Sequence, residues 1–186
     1  MPSERRVLTP RDGGGFSDSV STVMAMASSR RATVWVSLVG VVAVAVYAAV
    51  AALQIMVLNP LAAAPGRTLD QIRADMGEAG ESLSPMSVLG ILGIGVVVSV
   101  VVAIVAIVGR MPAAIAAMVF LGLVVLGTLG YFAASFGAGM GLADTYGIGG
   151  ADYSPWARPL YAASLVALGV LLVLAIREMR RRARRT

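Results

Sequence analysis

Cysteine, histidine and lysine are all missing from these 186 residues. Without cysteine there is no disulfide and no thiol chemistry. Without histidine the usual zinc sites and histidine-ligated haem are excluded. No cofactor and no metal site is therefore expected. Charge is also scarce, at 13% of the chain, and aromatics make up 6%. What replaces them is apolar: 58% of the residues are hydrophobic and the mean hydropathy is +0.85. That is membrane-protein composition. All 15 basic residues are arginine, and with so much Ala, Gly and Val this suggests a GC-rich bacterial genome.

Two long uncharged stretches form a hairpin from Val88 to Phe136. Val88 to Val108 carries no formal charge over 21 residues, and 15 of these are Val, Ile or Leu. About 20 such residues cross a ~30 Å hydrocarbon core as a helix. So much Val and Ile also suits a buried strand, but a strand runs only about 4–8 residues. A helix also satisfies its own backbone in lipid, which an isolated strand cannot do. Ser84 suits an N-cap, with Pro85 in the first turn. Gly109 suits the helix end and Pro112 the start of the next. The four-residue link makes the two helices antiparallel neighbours.

Two further spans flank the hairpin, giving an all-α antiparallel bundle of four transmembrane helices at about 33–58, 87–109, 112–136 and 157–177. The first follows Arg30-Arg31 and carries Trp35 near that end, as interfacial aromatic belts do. A cleaved signal peptide is the rival reading. Its apolar core runs about 7–15 residues, shorter than Thr33 to Leu58, so the span is expected to be retained. Residues 1–29 are polar, broken by Pro and Gly, and expected to be a disordered tail, although Val20 to Ala27 could extend the first helix. Residues 30–179 form the membrane domain, and 180–186 an Arg-rich tail.

Residues 59–86 make the longest loop. Thr68 with Gln71 fits a capping box, and Leu69, Ile72 and Met76 recur at helical spacing, so a short amphipathic helix is expected over 68–79. Such a helix either docks a partner or the membrane surface, or rests on its own bundle. Its acidic face favours the second, since membrane-surface helices are typically Lys/Arg-rich. Residues 137–156 form a glycine-rich second loop. Gly137-x-Gly139-x-Gly141 invites comparison with a phosphate-binding loop, but no strand precedes it and no lysine follows. A flexible turn with interfacial aromatics is expected instead.

Four spans put both termini on one side. Twelve arginines fall on that side and three (Arg67, Arg73, Arg158) on the other. The positive-inside rule then places both termini in the cytoplasm. Arg180, Arg181, Arg182, Arg184 and Arg185 are candidate contacts for anionic lipid, at about 1 kcal/mol per Arg near the surface. An acidic partner is the alternative. Nucleic acid is not expected, since no folded reader or aromatic platform accompanies the run.

Helix association in lipid relies on small residues and polar contacts. Gly130 and Ala134, with Gly137 and Gly141, are the candidate packing positions of the third span, within one chain or between copies. The cores of the spans contain no Asp, Glu, Arg or Lys to mark an ion path or proton relay. Their few polar groups include Ser37, Tyr47, Gln54, Ser99, Tyr131 and Ser164, with Gln54 expected at the interface. The loop carboxylates show no spacing that specifies a reaction.

The segment Pro60 to Leu69, followed by Ala74-Asp75-Met76 and Leu83-Ser84-Pro85, is similar to small four-span membrane proteins of actinobacteria. The resemblance implies the bacterial plasma membrane. A non-enzymatic scaffold or accessory subunit is the expected role. Its partners would be the lipid bilayer and another membrane protein, or a second copy. A small oligomeric transporter or channel component is the alternative.

Overall fold

The computed structural model describes the backbone of residues 14–184 and side chains from Ser28 to Arg184. Its regular secondary structure among these residues is all helical, with no strand. The elements are α1 (Gly14–Leu53), a π-helical turn (Gln54–Leu58), α2 (Asn59–Ala63), α3 (Leu69–Glu78), α4 (Pro85–Val108), α5 (Ala113–Tyr146) and α6 (Ala157–Ala183). Four stretches are long and apolar enough to cross a membrane: Ser28–Ala63, Pro85–Val108, Ala113–Tyr146 and Ala157–Ala183.

Three boundaries differ from the sequence expectation, each for a local reason. Helix α1 begins at Gly14, so residues 14–29 are helical rather than a disordered tail, while residues 1–13 lie outside the described residues. Helix α5 does not end near 136. It runs on to Tyr146 and stops where Gly147 turns left-handed at φ 63°. At 34 residues α5 is about 51 Å long, well beyond the ~30 Å hydrocarbon core. Helix α6 likewise carries Arg180, Arg181 and Arg182 in its last turn, where cations complement the helix dipole. The tail is thus largely a helical extension.

The hairpin has the expected signals. Ser84 caps α4 through the Ser87 amide (3.4 Å), and Pro85 occupies the first turn. The link to α5 is tight because Arg110, rather than a glycine, takes the left-handed conformation, at φ 52°.

Helix α1 packs on both α4 and α5, and α4 packs on α5, so these three form a triangle; α6 lies chiefly against α5. Helices α1 and α5 run parallel, and their contact advances in heptads. Gly40 faces Phe120 so closely that a Cβ there would overlap the ring. Seven residues on along both helices the roles exchange: a Cβ on Gly127 would come within 2.8 Å of the Tyr47 ring. Each glycine is a hole for an aromatic knob on the partner. The core continues through Ala51, Ile55, Val88, Leu92, Tyr131, Ala134 and Leu160. Polar links pin both ends of the first span. The Thr33 hydroxyl donates to the Met111 carbonyl (2.9 Å) beside the hairpin turn. Asn59 Oδ1 accepts the amides of Tyr153 (2.7 Å) and Ser154 (3.3 Å) at the other end.

Helix α3 folds back onto the projecting end of α5. Its capping box is complete: Thr68 Oγ1 accepts the Gln71 amide (3.3 Å), and Gln71 Oε1 accepts the Thr68 amide (2.8 Å). Ile72 and Met76 are fully buried with Ala64 and Leu142. The Tyr146 hydroxyl donates to Asp75 Oδ2 (2.8 Å), which also meets Arg67 at 3.5 Å. The amphipathic helix therefore rests on its own chain.

Candidate functional site

The polar chemistry of the spans collects at the end that carries the loops, where α1, α5, α6 and residues 147–156 converge. Three features of the sequence build it. The π-helical turn widens α1 at Gln54; such one-turn insertions concentrate at functional sites. Tyr131 stands on α5 among small neighbours, with Ala134 and Ala138 also buried in the core. Asp152 comes from the loop that Asn59 holds against the helix ends.

Asp152 is gripped by two tyrosines. The Tyr131 hydroxyl donates to Oδ1 (2.6 Å) and the Tyr161 hydroxyl to Oδ2 (2.9 Å). The two rings meet edge to face at 5.7 Å, the arrangement their quadrupoles favour. Tyr131 is 1% exposed, whereas Tyr161 is 41% exposed, so the cluster has one dry and one open side. Asp152 is itself exposed and makes no ion pair with any described residue.

Gln54 is fully buried where the π turn packs on α5. This corrects the expectation that it sits at the membrane interface: Gln54 falls seven residues after Tyr47, on the helix face that packs against α5. Neither its Oε1 nor its Nε2 has a hydrogen-bond partner within the chain. Leaving a buried amide unmatched costs about 1–3 kcal/mol by mutational measures. Below it the polar groups thin out. Ser164 donates to the Val124 carbonyl (2.9 Å) and reaches the Tyr47 hydroxyl (3.4 Å), while Ser99 bonds within its own helix to the Val96 carbonyl (2.7 Å).

The candidate packing residues separate into distinct roles. Ala134 enters the core, while Gly130 borders an apolar groove. Gly137 is exposed, with no atom within 4 Å of a Cβ built on it. Gly141 packs under α3, where a Cβ would approach Met76 at 2.8 Å, so its partner is the loop helix rather than another span. The groove, about 290 Å³, lies among α1, α4 and α5. Val44, Tyr47, Leu92 and Gly127 are among its lining residues, and it opens past the exposed Ile94 and Leu126.

At the opposite end Arg180, Arg181 and Arg184 are exposed, and Arg182 pairs with Glu178 at 3.3 Å; Arg185 lies outside the described residues. Among the described residues no three His, Cys, Asp or Glu side chains come together as metal ligands.

Sequence reasoning missed the Tyr131–Asp152–Tyr161 cluster and the burial of Gln54 because the residues that meet lie far apart in sequence or on different elements. The available signal was a lone amide near one span end, a lone tyrosine near another, and an aspartate in the loop between α5 and α6. No family model, curated protein or solved structure matches the chain.

Proposed function

We propose that this integral membrane protein is a non-enzymatic scaffold or accessory subunit of a complex in the bacterial plasma membrane, with both termini cytoplasmic. The observation that carries the reading is the construction of its two ends. At the loop end, α3 buries Ile72 and Met76 against the bundle and leaves Asp70 and Glu78 on the outside, with Asp144 exposed near the end of α5. At the other end, α6 extends a rigid helical turn of arginines. A bundle with an acidic plate at one end and a basic rod at the other offers surfaces for docking. Twelve arginines against three support the orientation.

In this reading the arginine turn meets anionic lipid or an acidic partner, and the apolar flanks meet lipid, another membrane protein or a second copy. The test is in-membrane crosslinking followed by mass spectrometry of whatever copurifies. A reproducible neighbour, its crosslinks mapping to either end, is the expected result. Recovery as a lone protomer in mild detergent, with no crosslinked neighbour, would refute the role.

A second reading has one specific observation in its favour. A buried, unmatched amide at a π turn is how a membrane helix would present a ligand site, which fits a small transporter or channel component acting as an oligomer. Flux of a solute or ion into liposomes that contain only the purified protein would favour it over the accessory role.

A further inference from the structure

Arg30, Arg31, Val34 and Trp35 bound an open recess of about 430 Å³ where α1 enters the first span. We propose that this recess binds the phosphate-bearing headgroup of an anionic phospholipid, with the lipid's chains lying along α1.

The helix lays out the site. Arg30 and Arg31 stand four residues before Val34 and Trp35, so the arginines form one rung and the valine and tryptophan form the next, about 5.4 Å further along. Trp35 is 68% exposed, and exposed apolar residues continue from it at helical spacing: Leu38, Val39, Val42 and Val46. One face of α1 therefore passes from cationic through aromatic to apolar. A phospholipid has the same order, from phosphate through the glycerol level to the acyl chain. Tryptophan suits the middle level, where its apolar ring and its N–H are both served.

The arginines are also uncommitted. Neither Arg30 nor Arg31 makes an ion pair with a described residue. Glu178, the one described carboxylate at this end of the bundle, is taken by Arg182. The hydrogen bond from Thr33 to the Met111 carbonyl ties this end of α1 to the hairpin turn, so Arg110 adds positive charge on the same side.

A phosphate answers this arrangement. Each guanidinium offers its N–H donors in a planar fork, and two neighbouring forks match phosphate oxygens through charge-assisted bonds. A zwitterionic headgroup fits less well, because its ammonium would meet the same arginines. A free phosphate ion would use the arginines and leave the strip from Trp35 to Val46 idle. An acidic peptide would lay backbone N–H and C=O groups against that strip with nothing to match them. The site rests on the four-span reading and on neither proposed role. Its failure would leave the accessory role standing, because that role is decided by crosslinked neighbours.

The test uses Trp35 as its own reporter. The chain has two tryptophans and Trp156 lies at the opposite end, so Trp156→Phe leaves Trp35 as the single one. The full chain with this change is reconstituted in phosphatidylcholine vesicles containing a minor fraction of lipid brominated on its chains, either phosphatidylglycerol or phosphatidylcholine. Bromine quenches tryptophan on contact. Brominated phosphatidylglycerol should quench Trp35 as a lipid preferred by about 30-fold at the site, since each of two arginines near the surface contributes about 5-fold. Arg30→Gln with Arg31→Gln should bring the preference close to unity. Quenching of that variant by brominated phosphatidylcholine should stay unchanged, which shows the helix still inserted. The charge-matched pair Arg180→Gln with Arg181→Gln, on exposed positions of α6, should keep the preference. Inorganic phosphate should restore no more fluorescence than chloride at equal ionic strength. Equal quenching by the two brominated lipids, an equal loss of preference from the α6 pair and the α1 pair, or recovery of fluorescence by phosphate beyond that by chloride would overturn the proposal.

Discussion

Substituting Gly40 with alanine probes the helix pairing at the centre of the bundle. On an open helix face, Gly→Ala stabilises by about 0.5–1 kcal/mol through reduced backbone freedom. At Gly40 the new methyl would overlap the Phe120 ring, and Phe120 is only 4% exposed, so it has little room to retreat. Overpacking of this kind costs about 1–3 kcal/mol. Here the upper part of that range applies, because the clash involves the body of a ring and not the tip of a flexible chain. The net effect should be a loss of about 2 kcal/mol. For a chain of this size that lowers Tm by roughly 4–8 °C. The assay is thermal or SDS-induced unfolding in detergent, with Gly93→Ala in α4 as the reference. Nothing lies within 4 Å of a Cβ at Gly93, so that variant should be neutral or stabilising. Combining Gly40→Ala with Phe120→Leu should recover part of the loss, with a favourable coupling of about 1 kcal/mol or more. If Gly40→Ala behaved like Gly93→Ala, the parallel pairing of α1 with α5 at this register would be wrong.

Two other perturbations read local features. Met76→Ala empties a fully buried site under Gly141 and should cost about 2–5 kcal/mol locally, seen as faster amide exchange across α3 while the spans stay protected. Arg110→Gly relieves a left-handed conformation that costs a non-glycine residue about 1–2 kcal/mol, so unfolding in detergent should shift to higher temperature.

The spans were legible because lipid demands long uncharged helices, and runs such as Val88 to Val108 admit no other fold. The α4 caps and the α3 capping box were legible because they depend on residues three or four apart. The far end of α5 was not. Glycine is a poor helix former in water, and residues 137–146 read as a turn. In the fold Gly141 serves close approach: it lets Met76 reach the helix backbone, and that packing carries the helix on to Tyr146. Gln54 was misplaced for a related reason. Its position near a span end suggests an interfacial side chain, but it continues the Gly40–Tyr47 heptad on the face packed against α5, and that face is known only once the partner helix is in place. The Asp152 cluster joins two helices and a loop, so no spacing rule reveals it.

The topology we propose is a four-span bundle with its loop cap outside the cell and its arginine turn inside. The chain has no cysteine, so single cysteines can be placed without background. A membrane-impermeant maleimide applied to intact cells should label Gly77→Cys on α3 and Gly149→Cys in the second loop. It should label Arg110→Cys and Arg184→Cys only after the membrane is opened. Labelling of Arg110→Cys or Arg184→Cys in intact cells, with Gly77→Cys and Gly149→Cys protected, would contradict the orientation. Labelling of both loop and hairpin-turn sites from the same side would contradict the four-span topology itself.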